Sequence, residues 1–465
     1  DLHLLSRRQR QMCIRDSEGT FVGDRDLVTK EIAGAVTDSR QVQKDYLFIP
    51  IKGARVDGHD FIPQVFEKGA LVVLSDHALP EETGPYILVS STTEAMKKIA
   101  AFYRTQLSCK VVGITGSVGK TSTKEMIASV LEQRYKVLKT EGNFNNEIGL
   151  PLTIFKIRAK HEVAVLEMGI SDFGEMHRLA AMARPDIGVI TNIGLCHLEN
   201  LGTRDGILQA KTEMFDHLQV DGTVILNGDD DKLSTKKEVN GKPVIFYGVG
   251  ADSAFDIKKD IYATDIENHG LEGMCAKIHT PQGDFDAKIP IPGEHNVYNA
   301  LAGTAVGLQL GLSIREIAQG IASVQTIAGR TNLLHVKGMT VIDDCYNANP
   351  VSMKASIDVL AHTSGRRIAV LGDMGELGAE EKELLRSIGK AVAASGIDAL
   401  FCAGTLAEEY ASEAKANPEC EVHYKKTREE MTEELLAYVK EGDTVLVKAS
   451  HFMEFPKVVE ALTKE

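Results

Sequence analysis

Val111-Val-Gly-Ile-Thr-Gly-Ser-Val-Gly-Lys-Thr-Ser122 is the stretch on which the reading of this chain turns. An apolar run enters a glycine-rich turn, and Gly119-Lys120-Thr121 then opens a segment carrying Met126, Ile127, Val130 and Leu131 at helical spacing. Backbone N–H groups of such a turn, with the helix N-terminus, cradle phosphate oxygens; the lysine adds a point charge and the threonine a metal-binding hydroxyl. The spacing departs from the common G-x-x-x-x-G-K-[ST] pattern, because that first position holds Ile114, with Gly113 one residue early and Gly116 two late. The order strand, glycines, Lys-Thr, helix still predicts ATP or GTP binding. The N/T-K-x-D signature that reads guanine in switch GTPases is absent after the loop.

Apolar runs of strand length continue outward from this loop. Val163–Glu167, Ile187–Thr191, Thr223–Asn227 and Val244–Tyr247 join Val111–Thr115 in a block over residues 108–327. Uninterrupted apolar runs separated by helical segments predict a parallel sheet covered on both faces. Thr340–Asp344, Ile368–Gly372, Ala399–Ala403 and Thr444–Lys448 repeat the pattern over 328–465, a second unit of Rossmann-like size. Residues 18–107 hold shorter runs, Tyr46–Ile51 and Ala70–Leu74, then a helical stretch with Met96, Ile99, Ala100 and Phe102. Residues 1–17 read as a disordered or non-native extension. Functional groups of open parallel sheets gather at the carboxyl ends of strands. Glu167 and Asp344 end such runs, and His197 follows another; a carboxylate at Glu167 is placed to hold Mg²⁺ near the phosphates.

Composition bounds the function. The 465 residues carry 52 basic and 66 acidic side chains, a net charge of −14, which argues against a nucleic-acid or anionic-membrane surface. Seven scattered cysteines without a C-x-x-C pair predict reduced thiols in a cytoplasmic protein, with neither a disulfide framework nor a structural zinc site. No apolar stretch approaches the roughly 18 residues needed to span a bilayer. The absence of Trp weakens any case for stacking bases on large rings.

These residues resemble the Mur ligase family and its folylpolyglutamate synthetase relatives. The resemblance rests on Thr115–Thr121, Glu167-Met-Gly169, Asn192-Ile-Gly194 through His197, Gly293-Glu-His-Asn-Val-Tyr-Asn299, Gly329-Arg330 and Asp343-Asp-Cys-Tyr-Asn-Ala-Asn-Pro350, all in family order. It implies a three-domain α/β architecture: a UDP-substrate-binding N-terminal domain, a central P-loop ATPase sheet and a Rossmann-like C-terminal domain. Thr140–Thr153, Leu371–Gly378 and Asp343–Pro350 resemble the family member that joins D-alanyl-D-alanine to a UDP-N-acetylmuramoyl-tripeptide in peptidoglycan synthesis, through an acyl phosphate. Thr37-Asp-Ser-Arg40 and Asp57-Gly-His-Asp-Phe61 are similar to its UDP-sugar-binding segments, and the D-N-P-R motif of the diaminopimelate-adding relative is missing.

The same resemblance implies residue roles. Thr115, Gly116, Ser117, Val118, Gly119, Lys120 and Thr121 would bind the ATP phosphates, Asn296 and Asn299 adenine, Asp344 ribose, and Arg330 the phosphates from the third domain. Thr121 and Glu167 would hold one Mg²⁺, His197 a second, with Lys211 carbamoylated as their negative partner; Lys120, His197 and Lys211 form the catalytic set. Ser39, Asn145, Asn146, Tyr346, Asn347 and Asn349 would contact substrate. By sequence context alone Lys211 is a helix-surface lysine, and Asn296 and Asn299 are helix caps. One departure stands out: a late Lys-Gly-Ser-Arg of the family is Lys448-Ala-Ser-His451 here, so no phosphate role is assigned to it. A monomer is expected. The competing readings are a ligase of the same family adding a single amino acid, and a nucleotide-driven switch.

Overall fold

A computed structural model describes residues 18–464; the extension expected at 1–17 lies outside them. Three large sheets follow one another along the chain, with a two-stranded hairpin, Glu238–Val239 and Lys242–Pro243, inserted within the span of the second. The first has five short strands, with Tyr46–Phe48 and Val72–Ser75 at its centre and Thr20–Val22 closing one edge antiparallel to Tyr86–Leu88. The helix Thr92–Thr105 follows, its N-terminus capped by the Ser91 hydroxyl. That helix buries Met96, Ile99 and Ala100 in a core shared with Leu47, Leu74 and Ile87 of the first sheet and Val111 and Leu166 of the second. The first two sheets are therefore packed through one apolar layer.

The second sheet has nine strands. Six run parallel in the order Ile245–Val249, Thr223–Asn227, Ile187–Ile190, Lys110–Thr115, Val163–Glu167, Val137–Lys139. Val111 faces one core, and Val112 and Ile114 the other, which is why these runs are apolar at every position. The loop between Lys110–Thr115 and the helix Lys120–Leu131 therefore emerges at the carboxyl edge, beside the ends of Val163–Glu167 and Ile187–Ile190.

The expected all-parallel sheet is incomplete. Ile261–Asn268 continues it in parallel, and Met274–Thr280 and Gly283–Ile289 extend it as an antiparallel wing. Only one side of this wing is buried, by Ile261, Ala263, Ala276, Ile278, Ala287 and Ile289 against the helix His295–Gln309. Its signature is thus an alternation rather than an apolar run. The third sheet runs Asn332–Val336, Met339–Asp343, Asp443–Lys448, Arg366–Gly372, Ala399–Ala403, Glu421–Lys425; it is parallel except for its first hairpin. The architecture is α/β throughout. Asp344 lies one residue past its strand rather than at its end, and Thr191 likewise. Among the described residues no helix is long and apolar enough to cross a membrane.

Candidate active site

The phosphate loop is shaped by two glycines and pinned from the neighbouring strand. Gly119 has φ +81°, and a Cβ on Gly116 would stand 2.0 Å from Thr191 Oγ1, so neither position accepts a side chain without rearrangement. Ser117 and Val118 donate their N–H groups to Asn192 O and Oδ1, both at 3.0 Å. Thr191 Oγ1 and Asn192 Nδ2 donate in turn to Val118 O, at 2.7 and 2.9 Å, and Gly194 N donates to Ser117 Oγ. Lys120 folds back, its Nζ donating to Gly116 O at 2.9 Å. Thr115 Oγ1 is buried at the root of the loop with no partner.

A carboxylate lies beside it. Glu167 is 2% exposed; its Oε1 accepts from Asn145 Nδ2 at 2.8 Å, and its Oε2 is buried with no hydrogen bond. Lys124 Nζ, itself buried and donating to Thr140 O at 2.6 Å, stands 4.0 Å from that oxygen. An orphaned anionic oxygen is costly in such a place unless a cation meets it. The Thr121 hydroxyl, which accepts from Arg330 Nη2 at 3.4 Å, and the Glu167 carboxylate are hard oxygen donors, which suit Mg²⁺.

His197 follows the next strand, with its backbone at φ +53°. Its Nδ1 meets Glu376 Oε2, in the loop after the third-sheet strand Arg366–Gly372, at 2.8 Å. Burial pushes its pKa down, Glu376 opposes this, and Lys211 and Lys120 add to the depression. Lys211 corrects the sequence expectation: it is 1% exposed, buried within the helix Arg204–Thr212 rather than on its surface. Burial, with the charge of Lys120, pushes its pKa down to about 8. Among the described residues no carboxylate pairs with its ammonium.

Two cavities border the loop through different residues. One, of 180 Å³, lies against Val118 and Gly119 and is walled by Tyr298, Asn299, Arg330, Asp344 and Lys448. The other, of 360 Å³, lies against Ser117 and Lys120 and is walled by His197, Asn347, Asn349, Glu376 and His451.

The remaining expected residues divide. Asn299 lines the first cavity, but Asn296 is spent on scaffolding: its Nδ2 donates to Pro292 O and its Oδ1 accepts from Asn299 Nδ2. Thr123 Oγ1 donates to Asn299 Oδ1, so the pair ties two helices together, and the cap position of this helix belongs to Glu294 instead. Asp344 Oδ2 accepts from Lys448 Nζ at 2.5 Å and from Ser356 Oγ at 2.6 Å, and its Oδ1 accepts from Thr331 N. The Arg330 guanidinium lies 4.2 Å from the centre of the Tyr346 ring. Asn349 caps the helix Pro350–Ala361, and Asn146 Oδ1 accepts from Ile148 N and Gly149 N, so both carry structural bonds. Ser39 is buried in the first-sheet unit, outside both cavities, its carbonyl accepting from Lys68 Nζ. Sequence reasoning missed Lys124, Glu376 and Lys448. Lys124 stands one helical turn beyond Lys120, a spacing that places it on the same face; the other two reach the site only through tertiary contact.

Comparison with known proteins places this arrangement. The chain matches the family described as Mur ligase family, catalytic domain, over residues 31–104, the Mur ligase middle domain over 114–307, and the Mur ligase glutamate ligase domain over 329–451. It is 39% identical over 443 residues to the UDP-N-acetylmuramoyl-tripeptide--D-alanyl-D-alanine ligase of Bacillus subtilis (strain 168), covering 93% of each chain. The chain belongs to the Mur ligase family.

Other Mur ligases agree along nearly the whole length. The enzyme of the same name from Escherichia coli (strain K12) is 34% identical over 94% of this chain and 96% of its own. A crystal structure of MurF from Acinetobacter baumannii superposes with a TM-score of 0.87, at 31% identity and 98% coverage of both chains. MurF from Thermotoga maritima, solved in complex with ADP, matches with a TM-score of 0.81, 30% identity, and 94% and 98% coverage. Within this Mur ligase, the loop, Glu167, His197 and Lys211 come from consecutive units of the central sheet, whereas Arg330, Asp344 and Glu376 come from the third-sheet region.

Proposed function

We propose that this chain is an ATP-dependent amide ligase that joins D-alanyl-D-alanine to the free carboxylate of a UDP-N-acetylmuramoyl-tripeptide, giving ADP, phosphate and the UDP-muramoyl-pentapeptide. The observation that carries this reading is the phosphate loop lining two cavities through different residues, with a buried, half-paired Glu167 at the neighbouring strand end. A γ-phosphoryl group held on that loop faces one cavity with its nucleotide and the other with its acceptor. The identity to D-alanyl-D-alanine ligases over more than nine-tenths of the chain supports the choice of substrates.

The reaction begins with an acceptor carboxylate oxygen attacking the γ-phosphorus; the bond to the β-phosphate oxygen breaks and ADP leaves. The neutral amine of the dipeptide then attacks the acyl-phosphate carbon, and phosphate departs as the amide forms and the amine loses a proton. Charge accumulates on crowded oxygens in both steps, and fixed donors and cations lower that cost. Lys120 swings from Gly116 O to the β- and γ-phosphates, joined by first-turn N–H groups that have no intrahelical acceptor. Arg330 is held over the phosphates by its stacking on Tyr346. Three of the roughly four acceptor positions on the Asp344 carboxylate are filled, leaving one on Oδ1 for a ribose hydroxyl.

Two Mg²⁺ ions, one held by Thr121 and Glu167 and one by His197 with a carbamoylated Lys211, would neutralise the phosphate oxygens as charge develops. Lys211 is suited to that modification: a pKa near 8 leaves a useful fraction of neutral amine, which adds to the carbon of CO₂ and releases one proton. Asn145 positions Glu167. Asn347, with the Asn349 turn, shapes the acceptor cavity; the likeness to the family assigns Ser39 and Asn146 to the UDP-muramoyl portion. The functional units are 18–107, 108–327 and 328–465, with the third closing on the second through Arg330–Thr121 and Glu376–His197. We expect a monomer working in the cytoplasm, where nucleotide-linked precursors and ATP coexist.

The test is direct. With ¹⁸O in the acceptor carboxylate of the tripeptide, mass spectrometry should find the pentapeptide product and one ¹⁸O in the released phosphate. Product without label in phosphate would refute the acyl phosphate, and no product would refute the ligase reading.

A further inference from the structure

The first sheet carries a group of side chains that takes no part in either cavity. His59 sits in the turn Gly58–Phe61, and Asp76 and His77 immediately follow the strand Val72–Ser75. One donor atom from each of the three lies within 4.8 Å of the others. His59 is 9% exposed, and its Nε2 is buried without a hydrogen-bond partner.

The hydrogen-bond pattern makes that nitrogen informative. His59 Nδ1 is 2.7 Å from Asp57 Oδ1, and a ring nitrogen facing a carboxylate must donate. In the neutral ring Nε2 is then a bare lone pair, and it lies 3.4 Å from Asp76 Oδ1 without a hydrogen bond to it. Two acceptors this close repel unless a cation joins them. By the same rule His77 Nδ1, 2.7 Å from that Asp76 oxygen, donates to it when no ion is bound and would exchange that proton for the metal; the two imidazole rings lie 4.9 Å apart.

The backbone fixes these positions in advance. Asp57 Oδ1 also accepts from His59 N at 3.0 Å, and Ser75 Oγ donates to His77 O at 2.7 Å while accepting from His77 N. Two imidazoles and a carboxylate favour Zn²⁺-like ions over Mg²⁺ or Ca²⁺. A carboxylate behind a ligating histidine is the usual orienting partner. The exposed flanks of Asp76 and His77 leave room for water to complete a tetrahedron.

We propose that His59, Asp76 and His77 bind one divalent transition-metal ion of the Zn²⁺ class, with Asp57 orienting His59. Such an ion clips the Gly58–Phe61 turn to the end of the Val72–Ser75 strand.

The experiment uses the full chain in excess Mg²⁺, which occupies oxygen-rich sites, and titrates Zn²⁺ by calorimetry and Co²⁺ by visible absorption. One equivalent is expected, and it should persist in a Glu167→Gln/His197→Ala variant. Asp76→Asn and His77→Ala alter half-exposed side chains, and each should weaken binding at least roughly tenfold. Asp57→Asn should weaken it roughly ten- to a hundredfold. No equivalent in the unaltered chain, or one unchanged by Asp76→Asn and His77→Ala, would overturn the proposal.

Discussion

Lys120 Nζ donates to the carbonyl oxygen of Gly116 at 2.9 Å, so the charge meant for a phosphate is held within its own loop. The bond is local and partly exposed, and losing it costs little stability. Lys120→Ala should therefore leave the thermal transition nearly unchanged while lowering kcat by a factor of about 10²–10³, the usual scale for one lost transition-state donor. Steady-state phosphate release, with a melt as control, checks both halves; activity within tenfold of the parent would contradict the loop assignment.

Burial makes unmodified Lys211, as in CO₂-free buffer, a cost to folding. Its pKa falls from 10.5 to about 8, so the unfolded chain binds more protons above that pH. The penalty, on the order of 3 kcal/mol, is in full force below pH 8 and is relieved as pH rises toward 10.5. Lys211→Met should thus stabilise the chain at pH 7, with the gain shrinking above pH 8, while removing ligation. Lys211→Ala should also lose ligation and recover part of it with added short carboxylates. Denaturation midpoints at pH 7 and pH 9.5 and rescue assays measure these effects.

Glu167→Gln separates metal affinity from folding. The parent already leaves Oε2 unbonded, and the amide keeps the shape and the Oε1 contact with Asn145. The melt should fall only modestly, because buried Lys124 loses an anion 4.0 Å away but keeps Glu125 and Thr140 O. The Mg²⁺ concentration for half-maximal activity should rise at least tenfold, read from rates across a Mg²⁺ series.

Lys448 and Asp344 form a buried ion pair at 2.5 Å under the first cavity. Lys448→Met strands a buried carboxylate and should destabilise the chain by about 3–5 kcal/mol. Adding Asp344→Asn should return much of that loss. Urea midpoints of the two variants give the answer.

These cases also show what the sequence made legible. Val163–Glu167, Thr223–Asn227 and Ala399–Ala403 form strands with the bounds that their apolar runs predict, since both faces of a parallel sheet are buried. The wing from Ile261 to Ile289 went unread because one face is solvated, and its alternation is broken where Asp265 takes a left-handed conformation in a bulge. Thr115–Thr121 and Glu167 were legible because loop and strand end adjoin along the sheet edge. Lys211 was not, since a buried lysine in a helix has the same spacing as a solvated one. Lys448 meets Asp344 only because Met339–Asp343 pairs in parallel with Asp443–Lys448, a relation between strands about a hundred residues apart. Asn296, expected as a nucleotide contact, carries packing bonds to Pro292 O and Asn299 that its place near a helix start does not reveal.

The most direct measurement is phosphate release from ATP in the presence of UDP-N-acetylmuramoyl-tripeptide, with D-alanyl-D-alanine, diaminopimelate or lysine as the second substrate. Stimulation by D-alanyl-D-alanine alone is the predicted result. Stimulation by either amino acid, or by none of the three, would contradict it.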